Sequence, residues 1–304
     1  MQETVLITGG SGLIGTRLSQ LLVQKGYAVR HMSRKRNIEG NIPSYKWDLK
    51  TMEWDRGCIV SVSYIIHLAG AGVADGRWTT KRRKEIVNSR VKSSQLVCEM
   101  VNEAKGSIKG VVSTSAIGYY GIDRELDIVH EDAAPGEDFL AQVSVKWEEA
   151  ISECSNTVNV SVIRTGIVLS NKGGALPKMA LPVKLGVGSP LGTGEQPMPW
   201  IHIDDLCRMY IHAMEKGING PYNGVAPEPV SNKVFTQELA SVLNRRILLP
   251  NVPAFMLKLL FGEMAQVLLT GVNASSDKIA ATGYEWNFKT LDLALEDIYT
   301  ISSD

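Results

Sequence analysis

The segment Thr8-Gly9-Gly10-Ser11-Gly12-Leu13-Ile14-Gly15 carries the residue types that hold a phosphate. Gly9, Gly12 and Gly15 are spaced G-x-x-G-x-x-G, one residue longer than the commoner G-x-G-x-x-G dinucleotide fingerprint. One glycine permits a tight, partly left-handed turn. Another lets the backbone approach a pyrophosphate, and the third packs helix against strand. The helix that follows, expected from about Gly15 to Lys25, offers unpaired N–H groups and a partial positive charge to the same phosphates, with Leu13 and Ile14 also expected against the cofactor. A tight turn without a ligand is the plain alternative. The flanking pattern argues against it, with apolar Val5-Leu6-Ile7 before the turn and the amphipathic run Thr16 to Val23 after it.

A second set of candidates follows Tyr27 to Met32, which reads as the next strand. Ser33-Arg34-Lys35-Arg36 lies at its carboxyl end, where the adenosine ribose sits in a Rossmann unit. An acidic residue there would bind the ribose 2′-hydroxyl of NAD. Serine and three cations instead suit the 2′-phosphate of NADP(H), a basic surface loop being the alternative. Asp48 either reaches the adenine edge or caps a turn. Lys109 to Ser115 is a buried strand ending in hydroxyls, followed by the glycine and tyrosine loop Ala116 to Gly121, at the edge where α/β ligand sites form. His67, inside the strand Ser63 to Leu68, reads as a satisfied core histidine. His202 with Asp204 and Asp205 forms a further titratable cluster, either a proton shuttle or a set of structural hydrogen bonds.

The elements that must position these groups alternate strand and helix. A long helix is expected from Lys81 to Ala104 and another from Phe139 to Ser152. Val160 to Leu169 is expected as a buried strand, and Trp200-Ile201-His202 as a return to the main sheet. This is an α/β chain, a Rossmann-type doubly wound parallel sheet with a smaller C-terminal substrate subdomain. Residues 1–169 form the NADP-binding half, with 200–223 returning to it, and 170–199 with 224–304 form the substrate side. The 304 residues bury a sizeable core. Lys plus Arg and Asp plus Glu both total 32, so net charge steers the chain toward neither nucleic acid nor an anionic membrane. The apolar stretch Val252 to Leu269 is broken by Lys258, Gly262 and Glu263 and does not span a bilayer. Cys58, Cys98, Cys154 and Cys207 form no C-x-x-C motif. They read as reduced thiols of a cytoplasmic protein with no leader segment. No metal-ligand spacing is present, and the oligomeric state is not readable.

Taken together, TGGSGLIG, HLAGAG, STSAIGYYG, RTGIVL and WIHIDD resemble the extended short-chain dehydrogenase/reductases, the epimerase/dehydratase-like proteins. Longer segments such as KLGVGSPLGTGEQPMPWIHIDDL and GEMAQVLLTGVNASSDKIAATGYEWNF resemble the atypical branch labelled epimerase family proteins, over nearly the whole chain. The resemblance implies that Arg34 and Lys35 hold the 2′-phosphate and that Leu68 and Ala69 line the cofactor edge. It places Glu85 and Arg90 near the cofactor and the Ile167 backbone at the nicotinamide end. It also implies a hydroxyl partner, Ser115, plus a tyrosine and a lysine four residues apart on the next helix, the tyrosine acting as general acid and base. The helix reads Phe139-Leu140-Ala141-Gln142-Val143-Ser144-Val145-Lys146. Lys146 is present, but Gln142 stands where the tyrosine belongs, and glutamine transfers no proton. Tyr119 or Tyr120, close to Ser115, is a substitute. The expected function is therefore an NADP(H)-dependent oxidoreductase or epimerase of a small-molecule substrate with altered catalytic residues. The alternative is an NADP(H)-binding regulator or scaffold without turnover.

Overall fold

The computed structural model describes residues 2–122 and 124–300. Alternation along the first strand shows why the sheet is covered on both sides. In β1 (Thr4–Thr8), Val5 and Ile7 face one apolar core and Leu6 the other, the signature of a strand buried on both faces. The chain continues through α1 (Leu13–Gln24), β2 (Ala28–Ser33), β3 (Ser44–Asp48), β4 (Glu53–Trp54), β5 (Val62–His67), α2 (Thr80–Glu103), β6 (Gly110–Ala116) and β7 (Arg124–Val129). It then forms α3 (Phe139–Ser152), β8 (Asn159–Thr165), β9 (Ile167–Leu169), α4 (Leu176–Lys184), β10 (Trp200–His202), α5 (Ile203–Lys216) and β11 (Gly220–Gly224). The remainder is α6 (Asn232–Val242), α7 (Ala254–Phe261), α8 (Ala265–Leu269), β12 (Val272–Ala274), α9 (Asp277–Ala280) and α10 (Leu291–Thr300).

The main sheet has eight strands in the order β11-β8-β6-β5-β1-β2-β3-β4. Its pairings are parallel except for β3 with β4. The winding reverses beside β1: β2 lies on one side and β5 on the other, which makes the carboxyl ends of β1 and β5 the crevice where ligands settle. Leu18 and Leu22 of α1 pack with Leu206 and Tyr210 of α5 against one face. Leu96, Val97 and Met100 of α2 pack with Ile151 of α3 against the other. A separate core joins Leu176 of α4, Phe235 of α6 and Leu295 of α10 to Leu169 and Trp200.

Two expectations are corrected here. Trp200-Ile201-His202 forms a strand, but it pairs in parallel with β9 in a two-stranded sheet of its own. The cause is Gly166. Its N–H bonds to Gly224 O (3.0 Å), the next N–H, of Ile167, bonds to Pro199 O (2.6 Å), and a Cβ at Gly166 would lie 2.4 Å from Pro199 O. The chain therefore leaves the main sheet at this residue and continues beside β10. The cysteines also differ: Cys98 of α2 and Cys154, just beyond α3, are joined as a disulfide with Cα atoms 5.0 Å apart. Only Cys58 and Cys207 are free, both buried. A separation of 56 residues concealed a proximity created by packing α2 on α3.

Candidate functional site

The glycine turn is closed by Gly12 N–H donating to Gly9 O (3.0 Å), with Gly9 at φ 71°. Gly12 caps α1 and supplies no side-chain acceptor, so nothing on the cap competes for the N–H groups of Leu13 and Ile14. A Cβ on Gly15 would lie 2.4 Å from Gly9 O and 2.6 Å from Gly10 Cα, so this glycine brings helix against strand. Gly10, absent from the fingerprint reading, is equally constrained: a Cβ there would fall 2.3 Å from the His31 ring. His31 is held by Ser19 (2.8 Å), and burial lowers its pKa. A cavity of about 490 Å³ opens beside the turn, bounded by Ser11, Gly12 and Leu13 on one side and Lys172 and His202 on the other.

The register of β1 against β2 sets Thr8 beside Met32, so Arg34 and Lys35 emerge just past the same edge as Gly9. Ser33 closes the turn by accepting from Lys35 N (3.0 Å). Of the three cations, Arg36 pairs with Asp55 (3.4 Å). Arg34 and Lys35 are exposed and have no carboxylate partner among the described residues. Asp48 caps a turn, accepting from Lys50 N (2.8 Å).

From the other side of the crevice, Leu68 N–H reaches Thr8 O and Oγ1 (both 3.1 Å), and Ala69 N–H reaches Thr8 Oγ1 (3.2 Å). Leu68 C lies 3.0 Å from where a Gly9 Cβ would be. Gly9, Leu68 and Ala69 are thus brought together. His67 beneath them is a core histidine, bonded to Thr8, Ser93 and Ser94, with burial lowering its pKa to about 3. Arg90 donates to Ala71 O (2.9 Å) and stacks over Trp147. Burial lowers its pKa to about 10. Glu85 is paired with Arg82 (2.8 Å) and 56% exposed.

At the ends of β6, β8 and β11 lies a buried polar network that the sequence reading missed. Arg164 is 3% exposed. Its Nε donates to Glu148 Oε1 (2.9 Å) and its Nη2 to Glu148 Oε2 (2.8 Å). Its Nη1 donates to Tyr120 Oη (2.9 Å) and Glu131 O (3.0 Å). Burial disfavours its charge, but Glu148 more than compensates and raises its pKa. Ser115 Oγ donates its proton to Glu148 Oε1 (2.7 Å). A serine has one O–H, so toward any other group Ser115 acts as an acceptor. Tyr120 is 1% exposed and donates to Asn223 Oδ1 (2.7 Å), while burial pushes its pKa up to about 12. Its hydroxyl is committed inside the protein. Tyr119 is the half-buried tyrosine of the pair, its ring 3.5 Å under the Arg164 guanidinium. Gln142 and Lys146 are exposed on α3.

The third cluster lies along the wall of the same cavity and is held by hydrogen bonds. His202 Nδ1 caps α5 by accepting from Asp204 N (3.1 Å), and its Nε2 lies 3.3 Å from Asp297. Arg17 takes both oxygens of Asp204 (2.6 and 2.7 Å). Asp205 accepts from Asn287 and Phe288 N–H (2.9 Å each). Ile167 begins β9 at the kink described above. Among the described residues no group of three metal-ligating side chains occurs.

The fold that carries these residues is shared with known proteins. Residues 5–225 match the NAD dependent epimerase/dehydratase family. The chain belongs to that family. Residues 252–298 match a domain of unknown function, DUF1731. The epimerase family protein SDR39U1 of Homo sapiens is 35% identical over 300 residues, 97% of this chain and 99% of that protein. The epimerase family protein YfhF of Bacillus subtilis is 33% identical over 297 residues, 97% of each chain. Among solved structures, human epimerase family protein SDR39U1 with NADPH superimposes with a TM-score of 0.89 at 33% identity, covering 98% of this chain and 99% of that one. A nucleoside-diphosphate sugar epimerase from Corynebacterium glutamicum gives 0.80 at 29% identity, covering 98% of this chain and 58% of that one.

Proposed function

We propose that the protein binds NADP(H) across the crevice between β1 and β5 and does not itself carry out alcohol–carbonyl chemistry. The glycine turn with Leu13 and Ile14 takes the pyrophosphate. Arg34 and Lys35 take the 2′-phosphate, Leu68 and Ala69 line the ribose edge with Arg90 behind them, and Ile167 borders the nicotinamide. Glu85 is left outside this set because its carboxylate is turned to Arg82. The NADPH of the human relative supports the choice of cofactor, as do two unpaired cations beside the turn. Segments 170–199 and 224–304 form the substrate or effector side.

One observation carries the reading against turnover: the Ser115 proton belongs to Glu148. A carbonyl oxygen or developing alkoxide needs a donor. Ser115 offers an acceptor, Tyr120 is committed to Asn223, and Gln142 replaces the helix tyrosine. A second reading, an oxidoreductase or epimerase, is favoured by Tyr119, whose hydroxyl donates to no described residue.

The test is a titration of NADPH and NADH by cofactor fluorescence, paired with absorbance at the reduced-nicotinamide band in the presence of aldehydes, ketones and nucleotide sugars. Arg34→Glu is expected to weaken NADPH at least about tenfold and NADH little, the loss of a charge-assisted contact. Equal weakening of both would refute the cofactor assignment. Substrate-dependent oxidation of NADPH that survives Tyr120→Phe and vanishes in Tyr119→Phe would establish the second reading.

A further inference from the structure

The substrate-side half carries an unusual surface. Leu181 of α4 and Leu185, which caps it, stand 58% and 69% exposed on one stripe with Lys178. The chain from the end of α4 at Lys184 to Leu191 runs beside 245–252. Arg245 Nε donates to Lys184 O (3.2 Å), Ser189 Oγ to Pro250 O (2.6 Å), and Val252 N to Pro190 O (2.8 Å). Between these contacts Leu248 stands 79% exposed, with Arg245 bonded to the last residue of α4. Pro253 then starts α7, in which Leu257 is buried while Phe255 and Leu259 stand 70% and 79% exposed. Soluble surfaces rarely gather large apolar side chains in this way without a partner.

Charge says what that partner is. Residues 176–187 and 245–261 contain Lys178, Lys184, Arg245, Arg246 and Lys258 and no aspartate or glutamate, and all these cations are exposed. In a chain with zero net charge this is a local separation of sign. A two-fold contact between copies would set these cations against their own images, which is unfavourable. Protruding leucine and phenylalanine tips interspersed with long cationic stems match the boundary layer of an anionic bilayer, where the tips enter the acyl region and the ammonium and guanidinium groups stay at the headgroups.

We propose that α4, the 245–250 segment and α7 form a monotopic docking face for an anionic lipid surface. No helix of the described residues is long and apolar enough to cross a membrane, so contact is peripheral. Arg77 donates to Leu260 O (3.4 Å) and Arg83 pairs with Glu263, which ties the edge of this face to the segment between β5 and α2, the segment that begins with Leu68 and Ala69, and to the first turn of α2.

The full chain is mixed with vesicles of phosphatidylcholine alone, or with about one-third phosphatidylserine, and sedimented at low and high salt. Binding is expected to the anionic vesicles only, and to fall as salt screens it. Phe255→Glu with Leu259→Glu is expected to abolish it, and Arg245→Glu with Arg246→Glu to weaken it at least about tenfold. All these residues lie outside the cofactor machinery, so NADPH titrations of the variants should match the parent, and failure of one proposal leaves the other standing. Equal binding to both vesicle types, no binding to either, or indifference to both double variants would overturn the inference. So would a concentration-dependent dimer dispersed by Leu259→Glu, which would give the face to a second copy.

Discussion

The Arg164–Glu148 pair offers the sharpest test of how this site is built. Glu148→Gln keeps the side-chain shape and changes one oxygen to an amide. One retained oxygen still accepts from Ser115 and Arg164 Nε. The new NH₂ faces Arg164 Nη2, where an acceptor stood at 2.8 Å, and two donors then oppose each other. The arginine cannot shed its proton, and at 3% side-chain exposure, against 16% for Glu148, it has little access to water. Removing one partner of a buried pair costs about 3–5 kcal/mol. Because Tyr120 and Glu131 still bind the third nitrogen, the lower end, about 3 kcal/mol, is expected. With a urea m-value of about 3 kcal/mol/M, that moves the unfolding midpoint down by about 1 M at unchanged slope. Glu148→Leu combined with Arg164→Met should cost less than the sum of the single variants, since no unpaired charge is left behind. A loss below about 1 kcal/mol for Glu148→Gln would place the pair among solvated surface bridges. It would also remove the basis for assigning the Ser115 proton to Glu148.

Four further outcomes follow from the geometry. Gly15→Ala should lower the melting temperature and cofactor affinity together, because its methyl meets backbone atoms at 2.4 and 2.6 Å. Gly12→Val should abolish NADPH binding while the unliganded fold persists, since the nearest atom to its Cβ is at 3.3 Å; unchanged affinity would show that the turn is not the phosphate site. Stability should fall in mild acid. His67 titrates near 3 when folded and near 6.5 when unfolded, so the unfolded chain takes up the proton first and stability declines as pH drops from about 6.5 toward 3. From pH 7 to 5 this one residue costs about 2 kcal/mol, and a urea midpoint that is flat across that range in the parent would contradict it. Alkylation of the denatured, unreduced chain should label Cys58 and Cys207 and spare Cys98 and Cys154, all four reacting only after reduction; labelling of all four beforehand would refute the bridge.

Much of the cofactor side was legible because its chemistry is local. The glycine spacing, the strand before it and the cations after β2 are each set within a few residues, and the turn needs its glycines for reasons of backbone sterics alone. Gly10 escaped because its constraint is a ring contributed by β2. Arg164 did leave a signal, a charge inside the apolar run Val160 to Leu169, where burial demands a partner. Which carboxylate would answer was not visible, since Glu148 meets it only through the packing of α3 on β8. The bonding of Tyr120 was hidden for the same reason: sequence put it beside Ser115, and only packing turns its hydroxyl inward to Asn223. The separate β9–β10 sheet and the Cys98–Cys154 bridge likewise depend on pairings between distant segments. The acidic and basic totals concealed two segments, 176–187 and 245–261, in which only one sign occurs.

Asp205 has a bearing on how this chain could have been assembled. It lies on α5, inside the stretch matching the epimerase/dehydratase family, yet both its oxygens are filled by backbone N–H groups of Asn287 and Phe288, and its own carbonyl takes the Tyr284 hydroxyl at 2.6 Å. Trp286 Nε1 reaches Val225 O at 3.0 Å. Residues 284–288 thus complete the interior around Asp205 and Val225 of the matched stretch 5–225. A C-terminal segment wired in this manner is no exchangeable module. Recombination could transfer it to another family member only where an aspartate waited at the same turn of α5, so the two sequence matches are expected to have travelled through descent as one heritable unit.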